Sequence, residues 1–497
     1  MNTKNWYLYG TPHKEKDMAE KNQANQLLTF NFESGKKLEI TCDLEVGNSL
    51  HWNKIKITSS DSKLATMEGM NSVNVEYSTI NLSGDIIEST EIINANIRGV
   101  SFSLGHNSIY SLFLFPQEVN VRRKLNYTSK RKPSKLTFYI NKSPMIAPRT
   151  YTEPNEHGEV KQTKSKPISF NMSNSKPIKS DVLYTYNSSN GHFESDRYQI
   201  LTTTIKKHRN PINFINENIS NEVDDILMLL SFAHSGRISY VNWRADFNNE
   251  MIWHYRSNRL KLTDIKDDPV RELIERKDVQ KFVTDSLPIY KSSIYRDTIN
   301  NSIHSLDGRN STVIELAYLS YFQALESLIL TCKRSNELEY ILKEKEFSEL
   351  KGLIEKTIND FLPNQKEKRG KIKSKLLELN RVSLKESAEL FFSEFNVPRN
   401  DIWPIFDDKK NNSVGLYTIR NRIVHGDVIN SEYLSQVAIA LEHLKILLTR
   451  CIFTILQWDI SQTKIDNRHL NNYHNFFKPE FFKKTMEEIS SHLLNIK

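Results

Sequence analysis

The segment LYTIRNRIVHGD, residues 416–427, brings an arginine, an amide and an imidazole together within six positions. At about 100° per residue along a helix, Asn421 and His425 lie about 40° apart on one face. Arg420 lies about 140° from His425, and its long side chain can bend towards the same face. The preceding NNSVG offers capping side chains, and Gly426 is typical of the position just after a helix. These side chains are therefore predicted in the last turns of a helix.

These side-chain types suit the cleavage of RNA without a metal ion. In that reaction the ribose 2′-OH loses a proton, the charge on the phosphorane is stabilised, and the 5′-oxygen gains a proton. Imidazole exchanges protons near neutral pH, but one helix cannot supply both the base and the acid. A two-fold pair of such helices could supply both, and it would also bring two Arg420 side chains to one phosphate.

The pattern Arg420-Asn421-x-x-x-His425 resembles the Arg-Asn-x-x-x-His signature of HEPN domains, which are helical-bundle ribonucleases of toxin and antiviral systems. The upstream segment YFQALESLIL resembles the first long helix of that fold, with Glu326 as its polar residue. Gly426 after the histidine, and the long apolar helix that follows, resemble the ApeA-like HEPN branch. That branch consists of bacterial proteins linked to defence against phage, in which a β-rich N-terminal domain precedes the nuclease.

The resemblance covers residues 311–460 in its motifs and the remainder in its architecture. It implies a catalytic set of Arg420, Asn421 and His425, no cofactor and no metal ion, and a homodimer or a dimer of dimers. The implied partner is RNA, with transfer RNA as one candidate, and a phage-encoded protein is a candidate trigger. Glu326 would either orient Arg420 or His425 across the bundle or be an ordinary paired helix carboxylate.

Other readings of the motif stay open. Arg420 and His425 could belong to a solvated helix face on which the histidine satisfies free carbonyl groups. Some HEPN proteins bind RNA without cutting it, so the bundle could be a non-catalytic RNA-binding or dimerisation module. A toxin–antitoxin HEPN protein that acts with a nucleotidyltransferase is a further alternative, although the long N-terminal extension counts against it.

Two basic clusters could follow a phosphate backbone or be solvated loops. The first is NQKEKRGKIKSK, residues 364–375, which contributes four candidate RNA contacts. Arg422, beside the motif, is a fifth candidate, although a surface arginine is the simpler account of it. The candidates are Arg422, Lys368, Arg369, Lys371 and Lys373. The second cluster is VRRKLNYTSKRKPSK, residues 121–135, which could bind RNA or an acidic protein.

The composition indicates a polar, folded chain of two or three domains. Of its 497 residues 38% are hydrophobic, and the net charge of +8 permits a polyanionic partner. No apolar run approaches the roughly 18 residues of a membrane span. The N-terminus lacks the apolar run and cleavage site of a secretory signal, which predicts a cytoplasmic protein without a membrane partner.

Several common kinds of site find no support in the sequence. The three cysteines, Cys42, Cys332 and Cys451, are far apart and form no Cys-x-x-Cys pair, so neither a disulfide framework nor a zinc site is predicted. We find no Walker loop, no dinucleotide-binding fingerprint and no His-Glu-x-x-His, which leaves ATP-dependent, NAD-dependent and zinc-hydrolase functions unsupported.

The pattern of hydrophobic residues predicts an α+β multidomain fold. Short alternating runs between Leu27 and Ile140 indicate a β-rich N-terminal domain, sandwich or barrel-like, which we assign to residues 1–200 as a sensor or regulatory domain. Within it, the Pro-, Ser- and Lys-rich passage 143–181 is predicted as long loops. Residues 201–310 are predicted as a mostly helical middle segment.

The C-terminal part is predicted to be all helical. TVIELAYLSYFQALESLIL and SEYLSQVAIALEHLKILLTRCIFTILQW both carry apolar residues at helical spacing, which indicates a helical bundle. Residues 311–460 are assigned to the HEPN ribonuclease domain and residues 461–497 to a C-terminal helical tail.

Overall fold

The computed structural model of the chain describes residues 27–32, 55–59, 73–80, 86–103, 109–115, 118–124, 133–148, 150–154, 160–164, 166–189, 192–256, 272–307, 313–408, 413–426 and 430–495. The strands are β1 (Leu27–Phe32), β2 (Ile55–Ser59), β3 (Val73–Ile80), β4 (Ile86–Ser103), β5 (Ile109–Phe115), β6 (Glu118–Lys124), β7 (Lys135–Ile140), β8 (Thr150–Pro154), β9 (Val160–Lys164), β10 (Ser169–Phe170), β11 (Ile178–Ser189), β12 (His192–Thr204), β13 (Tyr240–Asp246) and β14 (Glu250–Arg256).

The helices begin after β12. They are α1 (Pro211–Ile215), α2 (Asn221–Ala233), α3 (Val279–Ser292), α4 (Arg296–Leu306), α5 (Ile314–Ser335), α6 (Glu344–Phe361), α7 (Lys366–Lys375), α8 (Leu384–Glu394), α9 (Leu416–Val424), α10 (Leu434–Ile455), α11 (Asn467–Tyr473) and α12 (Pro479–Asn495). A π-helical turn, Asn216–Ser220, joins α1 to α2. A β-rich N-terminal region is therefore followed by a helical C-terminal part, as the sequence predicts.

The chain divides into two compact units, and the first contains β1 to β6 and β14. Its strands pair in the order β1-β3-β4-β6-β14, while β5 pairs with β4 and β2 pairs with β5. β1 runs parallel to β3, whereas the other pairings in this unit are antiparallel. Alternation within a strand carries no information about the direction of its partner, so the sequence pattern could not show the parallel pairing of β1.

The second unit contains β7 to β13 and all twelve helices. Four of its strands pair with antiparallel neighbours in the order β13-β7-β12-β11, and β10 extends this sheet at the β11 edge. β8 and β9 form a separate antiparallel hairpin.

The passage 143–181 contains more structure than the predicted loops. It includes β8, β9, β10 and the first residues of β11. The first three of these strands have only two to five residues and are rich in Thr, Lys and Ser. A strand of this length shows almost no periodicity, so the prediction of loops was wrong where backbone pairing with a neighbour stabilises the extended chain.

The middle segment contains helices together with two strands that the sequence analysis missed, β13 and β14. Trp243, Ala245 and Phe247 alternate as buried residues, but Tyr240 is also buried and breaks that alternation. The reason is a shift of register between Tyr240 and Asn242 in the pairing with β7. A bulge adds one residue on one strand, and it therefore hides the two-residue period from sequence analysis.

Helices α5 and α10 form the core of the C-terminal bundle. α5 packs against α4, α8, α9 and α10, and α12 packs against α10. Phe453 of α10 lies 4.6 Å from Phe232 of α2 and 5.7 Å from Phe282 of α3, between ring centroids. The helices of the middle segment therefore share an aromatic core with the bundle. Within the described residues, no helix is long and apolar enough to cross a membrane.

A buried arginine fixes the segment between α8 and α9. Arg450 of α10 is 1% exposed, and its Nη1 and Nη2 donate to the two carboxylate oxygens of Asp401 at 2.6 and 2.7 Å. Further bonds from its guanidinium reach the carbonyl oxygens of Pro398 and Ile465 at 2.9 to 3.2 Å. Because a buried charge is stable only when it is paired and hydrogen-bonded, this network holds the chain that leads into α9 against α10.

A buried histidine of α10 holds the same segment. The backbone N–H of Trp403 donates to Nδ1 of His443 at 3.1 Å, and Nε2 of His443 donates to the carbonyl of Phe476 at 3.1 Å. Burial lowers the pKa of His443 to about 4, so the ring is neutral and can accept and donate at once. The indole N–H of Trp403 in turn donates to the carbonyl of Val414 at 2.9 Å, two residues before α9.

Candidate functional site

Helix α9 is preceded by Gly415, and a carboxylate from an earlier loop binds this end of the helix. A Cβ at position 415 would lie 2.4 Å from the carbonyl oxygen of Ile405, so a side chain there would force the backbone to shift. The backbone N–H of Gly415 and the hydroxyl of Thr418 both donate to Oδ1 of Asp407, at 2.7 Å each. The N–H groups of Leu416 and Tyr417 donate to the carbonyls of Pro404 and Ile405, at 2.9 and 2.8 Å, so these carbonyls and Asp407 together satisfy the start of the helix. The first two residues of NNSVG lie outside the described residues.

The inner face of α9 is anchored to α5. Leu416 and Ile419 are completely buried, and the hydroxyl of Tyr318 donates to the carbonyl of Leu416 at 2.9 Å. Burial raises the pKa of Tyr318 well above its usual value, so the phenol stays a neutral donor. Ile423, one turn beyond Ile419, is only half-buried. The anchoring is therefore strongest in the first turns of α9 and leaves its last turn more accessible.

Arg420 lies where α9 meets α5, and each of its terminal nitrogens has a partner. Nη1 donates to Oδ1 of Asn421 at 3.1 Å, and Nη2 donates to Oε2 of Glu326 at 3.4 Å. The guanidinium carbon lies 6.0 Å from the centroid of the Phe322 ring. Its side chain remains 29% exposed, so the cation is oriented by three neighbours and is still accessible to a ligand.

The carboxylate of Glu326 is partly removed from water. Burial raises its pKa above the ordinary range, and the nearby charge of Arg420 opposes that increase. The side chain is 20% exposed. The charge of Arg420 therefore offsets part of the cost of burying the carboxylate, and Glu326 holds Arg420 against α5.

His425 lies immediately after the last residue of α9 and is exposed. Its backbone N–H donates to the carbonyl of Asn421 at 2.9 Å, which continues the helical hydrogen bonding to this residue. Gly426 follows with φ of +78°, in the left-handed region where glycine ends helices. Among the residues that the structure describes, no side chain is hydrogen-bonded to the imidazole. The helix thus ends with a titratable ring at the surface.

This arrangement has the groups needed for acid–base chemistry on a phosphate. Arg420 offers an oriented cation, and His425 offers an imidazole one turn further along α9. Asn421 lies between them and accepts a hydrogen bond from Arg420. The structure therefore brings Arg420, Asn421 and Glu326 together and places His425 at the adjacent helix end. One chain contains one such histidine.

The five candidate RNA-contacting cations occupy two separate places. Arg422 lies on α9 but donates from Nη2 to the carbonyl of Leu493 in α12 at 3.1 Å, so at least part of its role is to bind the last helix. The others, Lys368, Arg369, Lys371 and Lys373, lie on α7, which packs against α6 and the helical turn Leu376–Asn380.

Several of the α7 cations have partners of their own. Nζ of Lys371 lies 2.6 Å from Oε1 of Glu367, and Nζ of Lys373 lies 3.9 Å from Oε2 of Glu355. Nη1 of Arg369 donates to the carbonyl of Pro363 at 3.1 Å. Solvent-exposed ion pairs of this kind contribute little to the free energy of folding, so their cations can leave these partners and bind a phosphate. Their assignment as RNA contacts remains a prediction.

Three residues that shape the site were not identified from the sequence. Phe322 lies one turn before Glu326 on α5, and this spacing is the signal that could have placed both on one face. Asp407 and Tyr318 had no such signal, because each acts on a residue of α9 that is distant in the chain. Within the described part of the chain, no three His, Cys, Asp or Glu side chains cluster as candidate metal ligands.

Comparison with known proteins identifies the bundle. The family described as Apea-like HEPN matches residues 319–462, which run from the first turns of α5 through α10 and the turn that follows it. No curated protein matches the chain. The resemblance drawn from the Arg-Asn-x-x-x-His pattern is therefore confirmed over residues 319–462, which are similar to the ApeA-like HEPN family and follow the β-rich region in the sequence.

Proposed function

We propose that the protein is a metal-independent endoribonuclease of a bacterial anti-phage system that acts by abortive infection. The observation that carries the proposal is the geometry at the end of α9. An arginine held by Glu326 and Asn421 lies one turn before an exposed histidine, in a domain that matches the ApeA-like HEPN family. The site residues assigned to catalysis are Arg420, Asn421 and His425.

The proposed reaction is attack of the ribose 2′-oxygen on the adjacent phosphorus. The O2′–P bond forms and the P–O5′ bond breaks, which leaves a 2′,3′-cyclic phosphate on one fragment and a 5′-hydroxyl on the other. One His425 removes the proton from the 2′-OH, and a second His425 donates a proton to the leaving 5′-oxygen. The Arg420 guanidinium binds the non-bridging oxygens as negative charge builds on the phosphorane.

The proposal requires two copies of the chain. The proton is removed and delivered on opposite sides of one phosphorus, whereas each chain contributes one His425. A two-fold axis that passes between two α9 C-termini would place both histidines and both Arg420 side chains around a single phosphate. The active form is thus a homodimer or a dimer of such dimers.

Glu326 is assigned a positioning role, and Asn421, which belongs to the catalytic set, also helps to orient Arg420. Glu326 binds Nη2 of Arg420 and Asn421 binds Nη1, so together they fix the plane of the guanidinium. The Arg420 side chain remains 29% exposed, which leaves its other N–H groups available to a phosphate. The β-rich N-terminal region is assigned the role of sensor or regulator, and a phage-encoded protein is the proposed trigger. The proposed substrate of the nuclease site is RNA, including transfer RNA.

The test is cleavage of total RNA by the purified full chain in excess EDTA, followed by analysis of the fragment ends. We expect 2′,3′-cyclic phosphate or 3′-phosphate ends with 5′-hydroxyls, and resistance of DNA and of RNA methylated on the 2′-oxygen at the cut. The double variant Arg420→Ala/His425→Ala should be inactive. Products with 5′-phosphates that form only with magnesium would overturn the proposal, because they indicate metal-bound water as the nucleophile.

One observation favours a second candidate, a non-catalytic RNA-binding or dimerisation module. The Glu326 carboxylate accompanies Arg420 and reduces its net positive charge in the single chain. If the bundle is such a non-catalytic module, the wild type and the Arg420→Ala/His425→Ala variant would bind RNA equally, and neither would cleave it. Sequencing of RNA ends in cells that express the protein, with and without phage, would report cleavage, target and dependence on a trigger together.

A further inference from the structure

A cavity of about 810 Å³ is lined by residues of α5, α10 and α11, by the end of α4 and by the turns around α11. Leu306 at the end of α4, Ile446 of α10 and Phe477 contribute its apolar lining. This volume is typical of small-molecule sites, which are apolar clefts with a few convergent polar groups. The charged and polar side chains that line the cavity therefore indicate which class of ligand would fit it.

The charged side chains that line the cavity form two groups, each with one cation and two carboxylates. In one group, Lys464 lies 3.3 Å from Glu272 and 4.0 Å from Glu275. In the other, Lys445 lies 3.7 Å from Glu442, and Asp307 is the second carboxylate. Two lysines thus face four carboxylates, and the lining has a formal charge of −2 with its histidines neutral.

Tyr321 of α5 lies close enough to the second group to be affected by its charges. The residue is 6% exposed and lines the cavity, and no hydrogen bond joins its hydroxyl to any residue that the structure describes. Burial first, and then the charges of Glu442 and Asp307, raise its pKa to about 12. A neutral phenol beside two carboxylates has a hydroxyl oxygen that can accept a hydrogen bond from a cation.

One histidine of the cavity, His469, is shifted towards its neutral form. Burial, followed by the charges of Lys464 and His474, lowers the pKa of His469 below its ordinary value. Its ring lies 4.4 Å from that of Tyr473, which is 71% exposed at the cavity mouth. Aromatic faces beside carboxylates favour organic ammonium groups, because the ring faces attract positive charge and the methylenes gain apolar contact.

We propose that this cavity binds an organic dication of the polyamine class. One ammonium group would lie with Glu442 and the Tyr321 hydroxyl, and the other with Glu275 and Glu272. The methylene chain would lie along the apolar floor and the aromatic walls. The proposal does not depend on ribonuclease activity, since it concerns binding to groups other than Arg420, Asn421 and His425.

The experiment is isothermal titration of the full chain, freed of nucleic acid, with spermidine and putrescine at fixed ionic strength. n-Butylamine serves as the matched ligand with one ammonium group, and ATP serves as the anion. We expect saturable binding of one spermidine per chain, at least ~10-fold weaker binding of n-butylamine because it can occupy only one end, and no binding of ATP in the cavity.

Three variants locate the binding. Glu442→Gln and Glu275→Gln each remove one carboxylate from one group, and Tyr321→Phe removes only the hydroxyl, so the packing is retained. We expect each carboxylate variant to weaken spermidine binding about 10-fold and Tyr321→Phe to weaken it measurably. Glu480→Gln, which changes an exposed carboxylate at the start of α12, is the matched control and should bind as the wild type does.

Some results would overturn the proposal. One is the absence of saturable spermidine binding, and another is equal affinity for n-butylamine and putrescine. Spermidine binding that is unchanged in both Glu442→Gln and Glu275→Gln would place the amine elsewhere on the surface. Displacement of spermidine by stoichiometric ATP, lost in Lys464→Ala, would identify the cavity as an anion site instead.

Discussion

Glu326 of α5 accepts a hydrogen bond from Nη2 of Arg420 at 3.4 Å, and this bond joins two residues that are 94 positions apart in the chain. Two turns before Glu326, Tyr318 donates to the carbonyl of Leu416, which lies one turn before Arg420. The two helices therefore run in the same direction along their contact. The orientation of the guanidinium depends on α5 as much as on the helix that carries it.

We expect Arg420→Lys to lower the rate of RNA cleavage by at least ~10-fold. An ammonium group presents a point charge and cannot bond to Glu326, Asn421 and a phosphate in one plane. The measurement is kcat and KM on a fixed RNA, with Arg468→Lys, an exposed arginine of α11, as the matched control. Equal rates for lysine and arginine at position 420 would mean that only the charge matters.

His425→Ala should lower cleavage by at least ~10², since general acid–base catalysis commonly contributes that much. The free energy of unfolding should change by no more than about 0.5 kcal/mol, because the side chain is exposed. His208→Ala, which removes another exposed histidine, is the control and should retain activity. A His425→Ala protein that cleaves at nearly the wild-type rate would remove His425 from the mechanism.

Exposed apolar residues beside the site should contribute to the dimer. Leu330 lies one turn beyond Glu326 on α5 and is 39% exposed, and Val424 lies one turn beyond Arg420 on α9 and is 50% exposed. Leu330→Glu and Val424→Glu are each expected to give a folded monomer in sedimentation analysis that has lost cleavage.

The matched control for the dimer is Leu353→Glu, which changes a 67% exposed leucine on α6. This variant should keep both the assembly and the activity of the wild type. A fully active Leu330→Glu or Val424→Glu chain, at concentrations where no dimer is detectable, would contradict the two-copy site.

Loss of the buried ion pair of Arg450 should lower the free energy of unfolding far more than loss of a surface pair. Arg450→Ala leaves Asp401 and two carbonyl groups without their donors, and we expect the free energy of unfolding to fall by about 3–5 kcal/mol. Arg334→Ala, which breaks an exposed pair with Glu339, should cost about 0–1 kcal/mol. Urea denaturation measures both, and similar losses would show that the Arg450 network does not hold the bundle.

The stability of the protein should fall in mild acid partly because of His443. Its folded pKa of about 4 lies below the ordinary value of 6.5, so the unfolded chain binds more protons between these pH values. The contribution of neutral His443 to the free energy of unfolding is complete above pH about 6.5 and is lost as the pH falls towards about 4. His443→Gln should therefore show a smaller loss of unfolding free energy over this window than the wild type. An identical pH dependence would mean that His443 is not protonated on unfolding.

The sequence determined the features that depend on neighbouring residues. Helical spacing located α5, α9 and α10, and Gly426 marked the end of α9, because local backbone preferences and the helical period are written in consecutive residues. The same reasoning placed Arg420 and Asn421 in the last turns of a short helix, with His425 at its C-terminal end. The order of a β-rich region followed by a helical bundle was also accessible in this way.

Only the tertiary structure decided which distant groups meet. It gave Arg420 a partner on another helix, supplied the cap of α9 from Asp407, and placed carboxylates from separate segments around one cavity. It also decided the parallel pairing of β1 with β3 and the bulge that hid β13. These contacts depend on how whole helices and strands pack, and packing minimises exposed apolar surface and unsatisfied polar groups over the entire chain rather than within any one segment.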